Sequence, residues 1–400
     1  MDLSHCTLMY QNTAVVKLNF DNICMPHVAG RVIHPELLPL GVSEGANIDQ
    51  QLFIWMRNRI IPDRRINIQA ALETMGMESP MELSIHSLAL SYHDPYWLKP
   101  RGCDIQWENI NLHDNGFCED VGDILFDPAS MRTAINFISP DVTTGGNDLK
   151  RWIKGKDNRA YLMKGNPKYP QVAYNEQIAA ILAHAMDIDA VPYYIRQGDF
   201  IEFEQGHIEK KSCTFAVCPN FCIKGYTFLT LKAFSQQYNN NTDIALGALL
   251  DNPDIAAKLE KIFLLDFLVN NEDRNVGNIT VVLDKNNNII DLAPIYDTGN
   301  SLSYGTMEMD TESTAENRLL HTSNKDVAAI VLNGQGHSPI DYDKLYKALE
   351  QIRTLLAKST LSDLRKEEIV SFVTHNIEWM QSRDIQYQPP SISTDEVPDL

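Results

Sequence analysis

The sequence predicts an α+β chain of two lobes, the first β-rich and the second mostly helical, preceded by a separate N-terminal domain. Three observations predict it. Residues 148–153 and 159–164 alternate like two strands of a hairpin, with another hairpin at 201–217. Residues 242–250, 255–270, 342–357 and 361–383 carry apolar positions at helical spacing. Residues 1 to about 120 form a further unit, with a strand at 14–20, helices at 49–59, 66–75 and 80–90, and a turn-rich stretch at 93–102. The expected division is 1–125, 126–222 for the β-rich lobe, 223–388 for the helical lobe, and a Pro/Ser/Asp-rich tail at 389–400 expected to fray.

Composition narrows the function classes. With 400 residues, 44% hydrophobic and 22% charged, the chain can bury a sizeable core. Its net charge of −19, from 34 basic and 53 acidic residues, argues against a broad nucleic-acid surface, so direct nucleic-acid binding is not expected. A local basic cleft remains compatible with that charge. Seven scattered cysteines form no disulfide framework. No signal-peptide pattern and no 18-residue apolar run occur, so a cytoplasmic protein without a membrane span is expected. The N-terminal unit holds no metal or nucleotide motif, and a docking or regulatory module is the expectation for it; its surroundings are not basic enough to favour a helix-turn-helix.

Chemistry concentrates further along. The loop 139–147, SPDVTTGGN, places Gly145 and Gly146 between strands, where backbone N–H groups can meet phosphate oxygens; as a bare turn it would look much the same. The strand 160–164 ends in Lys164, and a dozen residues on Glu176 opens a helix at 177–186. A strand lysine held by a helix glutamate is a device for gripping nucleotide phosphates, although a lysine at a strand end is ordinarily just solvated. Cys213, Cys218 and Cys222 fit no zinc spacing and read as buried thiols.

The stretch 264–302 carries the strongest signal. An apolar helix end leads into Asp273-Arg274-Asn275-Val276-Gly277-Asn278, a hairpin turning at 284–288 follows, and its second strand delivers Tyr296-Asp297-Thr298-Gly299. Asp273 suits a carboxylate that orients a hydroxyl and accepts its proton. Asn278 and Asp297 supply hard oxygen donors suited to Mg²⁺. Asp and Asn are common in turns, so the assignment rests on the whole combination. The acidic stretch 305–324 reads as a surface or activation-type loop.

These segments resemble the HipA-like Ser/Thr protein kinases over about residues 137–385, through the D-x₄-N of Asp273 and Asn278, the Tyr-Asp of Asp297, Lys164 and the Asn-Glu of Glu176. The resemblance implies a protein-kinase-like fold that uses ATP and Mg²⁺ to phosphorylate a protein Ser/Thr hydroxyl. It implies a hinge at 217–220, with Val217, Cys218 and Asn220 beside the adenine, and Thr144, Gly145 and Gly146 at the phosphates. The family's self-phosphorylation of a glycine-loop serine makes Thr143 and Thr144 the corresponding hydroxyls here. An antitoxin-like or regulatory protein is the kind of partner it suggests. The shared D-R-x₃-N also admits a lipid or small-molecule phosphotransferase, and a non-catalytic pseudokinase module stays open as a third reading.

Overall fold

The computed structural model describes residues 2–130, 132–204, 207–334 and 339–386; the tail expected at 389–400 lies outside them. The chain begins with β1 (His5–Tyr10) and β2 (Thr13–Phe20), a tight antiparallel hairpin, followed by β3 (Pro26–Val28), α1 (Ile48–Arg57), α2 (Ile68–Met75), α3 (Pro80–His86) and β4 (Tyr96–Pro100). The four strands form one sheet in the order β3-β2-β1-β4. Its buried face meets α1 and α3 through Leu8, Val16, Leu18, Leu52, Met81 and Ile85. Residues 96–100 thus form a strand where the sequence suggested turns. Pro95 and Pro100 give the stretch a turn-like composition, but Trp97 between them is fully buried and its indole N–H donates to the Gln11 carbonyl at 2.7 Å.

Two short helices, α4 (Leu112–Asn115) and α5 (Asp120–Phe126), lead to the β-rich lobe. There β5 (Leu149–Lys154), β6 (Ala160–Gly165), β7 (Tyr194–Glu204) and β8 (His207–Pro219) make an antiparallel sheet in the order β5-β6-β8-β7. Between β6 and β7 runs α6 (Gln171–Ala185). This helix starts six residues before the expected 177, so Glu176 sits in its second turn rather than at its opening.

One apolar core crosses the expected boundary at 125/126. Ile68, Ala71 and Leu72 of α2 and Val121, Ile124 and Leu125 of α5 pack with Leu149, Met163 and Phe215 of the sheet. Asn67 reinforces the junction, its amide donating to the Leu125 and Ile201 carbonyls and accepting from the Phe203 N–H. Burying side chains of this size stabilises by roughly 1.5–3 kcal/mol each, so neither segment completes this core alone.

The helical lobe opens with β9 (Thr227–Thr230), α7 (Leu231–Phe234) and α8 (Thr242–Leu250). Next comes α9 (Pro253–Val269), capped by the Asn252 side chain with Pro253 in its first turn. Its last turns are apolar apart from Asp266 and are covered on every side, with Leu265, Leu268 and Val269 fully buried. Asn270 ends the helix in the left-handed conformation. Strands β10 (Thr280–Leu283) and β11 (Ile289–Leu292) form the expected hairpin, and β9 pairs with the other edge of β10. Helices α10 (Asn324–Asn333), α11 (Tyr342–Ala357) and α12 (Asp363–Gln386) complete the lobe. Its core also takes in Ile178 and Leu182 of α6, so α6 ties the two lobes together. No helix among the described residues is long and apolar enough to cross a membrane.

Candidate active site

Lys164, Glu176 and Asp297 meet where the lobes face each other. Lys164 lies on β6, and its ammonium ion-pairs with Glu176 on α6 and with Asp297, whose Oδ1 is 2.6 Å away. Lys164 and Glu176 are nearly inaccessible, while a third of the Asp297 side chain remains exposed. The other Glu176 oxygen accepts from the backbone N–H and hydroxyl of Thr298, both at 3.0 Å. Burial opposes charge on Lys164 and on Asp297. For Lys164 it is outweighed by Asp297 and Glu176, which hold the ammonium well above its usual range. Burial likewise raises the Asp297 carboxyl, yet Lys164 and Lys150 prevail and keep it ionised well below the usual carboxylate range.

The 297–303 turn is fixed by α6. Asn175 donates to the carbonyls of Gly299 and Ser301, and Gln171 donates to that of Leu302. Asp297 itself has a φ of +58°, a strained conformation that Asp tolerates better than most residues. Gly299 passes so close to α6 that an added Cβ would lie 2.6 Å from Val172 Cγ1 and 3.0 Å from Glu176 Oε1. Gly299→Ala should therefore push the turn off Glu176 and destabilise the chain by about 1–3 kcal/mol in denaturant unfolding; an unchanged midpoint would show that the turn yields freely.

The Asp273 loop rests on a buried ion pair. Arg274 and Asp266 of α9 are both inaccessible and joined by two hydrogen bonds, Nε to Oδ2 at 2.9 Å and Nη2 to Oδ1 at 3.0 Å. Arg274 Nη1 also donates to the Asn278 carbonyl at 2.7 Å. Asn271 donates to Asp266 and accepts from the Asp273 N–H. Asn278 donates its amide to the Asp273 carbonyl at 2.8 Å, closing the loop. The Asp273 carboxylate accepts from Asn275 at 2.8 Å, Asn300 at 3.3 Å and Arg318 at 2.9 Å. The Tyr296 hydroxyl contacts Thr280 Oγ1 at 2.7 Å and donates to the Gly277 carbonyl at 3.1 Å, linking the loop of Asn278 to the turn of Asp297.

For a divalent cation the donors fit in kind. Asp297 has one carboxylate oxygen on Lys164 and keeps exposed surface; Asn278 uses its amide N–H internally, leaving a carbonyl oxygen. No cluster of three His, Cys, Asp or Glu side chains suited to a metal occurs among the described residues. Cys213, Cys218 and Cys222 are buried free thiols.

The linker between the lobes shows an open edge. Val217 on β8 pairs with Met163 on β6 and with Tyr194, where β7 begins, so beyond Val217 no strand among the described residues lies along that side of β8. Cys218 is buried there, and the Asn220 N–H donates to Ala160. Phe221 stacks on Tyr296 with ring centroids 5.5 Å apart.

At the glycine loop Thr143 and Thr144 are buried. Thr143 Oγ1 lies 3.3 Å from the Pro140 carbonyl, while Thr144 Oγ1 donates to that carbonyl and accepts from the Trp152 indole at 2.8 Å. Both hydroxyls are thus engaged by protein partners. Gly146, with φ +86°, leaves the room that the Lys150 ammonium occupies.

Several residues of the site escaped the sequence. Lys150 on β5 stands directly opposite Lys164 on β6, is buried, and donates to the Gly145 carbonyl at 3.3 Å. Burial pushes its ammonium down. A signal existed: the two lysines are equally spaced about the turn at 155–159, so a simple hairpin pairs them. Arg318 and Asn300, which reach Asp273, follow no motif.

The two-lobed kinase-like fold is shared with solved structures. HipA of Shewanella oneidensis MR-1, solved with HipB and its operator DNA, superposes with a TM-score of 0.52 at 15% identity, over 96% of this chain and 97% of that one. The Helicobacter pylori proinflammatory kinase CtkA superposes with a TM-score of 0.42 at 15% identity, over 62% of this chain and 94% of its own. No protein-family model matches the chain, and no significant match occurs among curated proteins. The fold is therefore that of HipA, and the likeness extends beyond 137–385 into the N-terminal region. Because the HipA structure contains DNA, the charge-based expectation against nucleic acid finds no support in it.

Proposed function

We propose that the chain is a Mg²⁺-dependent kinase that transfers the γ-phosphoryl group of ATP to a Ser/Thr hydroxyl of a protein, acting in the cytoplasm. The observation that supports this best is the ion-paired set of buried Lys164 and Glu176 with the partly exposed Asp297, drawn from a strand, a helix and a turn up to 133 residues apart. Buried charges are costly, and a fold that needed only stability would gain as much from apolar side chains. Held next to the Asp273–Asn278 loop, the set has the make-up of a phosphoryl-transfer site.

In this reading Lys164, oriented by Glu176, binds the nucleotide phosphates, with Lys150 beside it. The open edge of β8 at Val217, Cys218 and Asn220 receives the adenine. Asn278 and Asp297 hold Mg²⁺, which when bound neutralises phosphate charge. Asp273 orients the acceptor hydroxyl and takes its proton. An antitoxin-like partner is proposed by analogy with the HipB of the related complex.

Lys164→Ala tests the cleft. It removes the cation between the buried Glu176 carboxylate and the partly exposed Asp297 carboxylate, and the expected result is at least a tenfold weaker ATP affinity by titration calorimetry. Unchanged affinity would take Lys164 out of the nucleotide site.

A further inference from the structure

The glycine loop is held from outside its own lobe. Arg65, just before α2 in the N-terminal region, is buried and donates to three consecutive carbonyls of the loop: Thr144, Gly145 at 2.7 Å, and Gly146 at 2.8 and 3.0 Å. Two backbone bonds run alongside, from the Ile61 N–H to Val142 and from the Ile66 N–H to Asn147. In a planar trans peptide each carbonyl points opposite to the N–H of the next residue. Turning three carbonyls onto one guanidinium therefore turns the N–H groups of Gly145, Gly146 and Asn147 the other way. Among the described residues none of those three N–H groups donates a hydrogen bond. Successive free N–H groups of this kind form an anion-binding concavity.

Arg65 Nη1 is also buried without a hydrogen-bond partner. Burial lowers its pKa to about 10, which leaves it charged at neutral pH. Lys150 approaches the same loop through the Gly145 carbonyl, so two cations lie against a loop whose N–H groups are unspent.

We propose that Arg65 is a positioning residue of the nucleotide site: the N-terminal region, through this one guanidinium, sets the peptide planes of residues 144–147 so that three N–H groups face the phosphates of ATP. This rests on the cleft binding ATP. The N-terminal region is on this account part of the nucleotide site rather than a dispensable accessory, and its removal would cost ATP affinity.

The test uses the full chain and its Arg65→Ala variant. Each is titrated with ATP and Mg²⁺, and amide hydrogen exchange over 145–147 is followed with and without saturating ATP. ATP is expected to slow exchange at these amides in the unaltered chain. In Arg65→Ala affinity should fall at least tenfold and the ATP-dependent slowing should disappear, a loss that simple destabilisation would not confine to these amides. Should Arg65→Ala not fold, Arg65→Lys, which keeps the charge but cannot span three carbonyls, carries the same comparison. Unchanged affinity in the folded variant, or ATP binding without protection at 145–147 in the unaltered chain, overturns the role of Arg65 and leaves the cleft assignment standing. No ATP binding by the unaltered chain overturns both.

Discussion

Asp273→Asn is expected to lower phosphoryl transfer by roughly 10²- to 10⁴-fold while leaving ATP affinity within about twofold. The substitution keeps the side chain's volume and removes the charge that would accept the hydroxyl proton. The local structure should survive it, because the loop is held mainly by backbone: the Asp273 N–H on Asn271, its carbonyl on Asn278, and Arg274 beneath. Arg318, paired with the carboxylate at 2.9 Å and largely exposed, is the contact that would loosen. Measured with labelled ATP, equal losses in kcat and kcat/KM would place Asp273 in the chemical step. A rise in KM for ATP alone would make it a binding residue instead.

Arg274→Ala is expected to have the largest effect on stability, about 3–5 kcal/mol, because it leaves the Asp266 carboxylate buried without its ion partner. Two further contacts, one of Asp266 and one of Arg274, argue that the damage will spread. Asn271 is bound to the same carboxylate, and Asn278 loses its carbonyl partner, so both ends of the Asp273 loop would be released. Denaturant unfolding read by fluorescence checks this, since Trp379 packs on Phe267 of α9 at 4.7 Å between ring centroids. A loss under about 1 kcal/mol would mean that water reaches Asp266 in the variant and that the pair is not needed to hold the loop.

The legible parts of the sequence were those whose signal is local. The Asp284–Asn288 turn flanked by β-branched runs marked the β10–β11 hairpin, and the apolar run ending at Val269 marked the close of α9 just before the Asp273 loop. Lys164, Glu176, Asp273, Asn278 and Asp297 are each singled out by type and order, and the fold brings Lys164, Glu176 and Asp297 into contact. The residues that hold this site were not legible, because their partners are distant in sequence. Arg65 lies about 80 residues from the carbonyls it binds, and Asn175 lies 124 from Gly299. Strand Tyr96–Pro100 was hidden by its flanking prolines, since what makes it a strand is pairing with residues ninety positions earlier. The N-terminal region read as a separate unit because no motif crosses the boundary, whereas the core that crosses it is made of ordinary Ile, Leu and Phe side chains.

The central claim is phosphoryl transfer at the Asp273 loop, and it is tested most directly by incubating the purified chain with γ-labelled ATP and Mg²⁺ beside Asp273→Asn, then mapping any label by mass spectrometry. The account predicts label on a Ser or Thr of the chain or of a supplied protein, dependent on Mg²⁺ and lost in the variant. Equal label in the variant would contradict the assignment of Asp273. ATP bound without any transfer to protein, together with turnover of a lipid or small-molecule alcohol, would contradict the protein-kinase reading and move this cleft to a different acceptor.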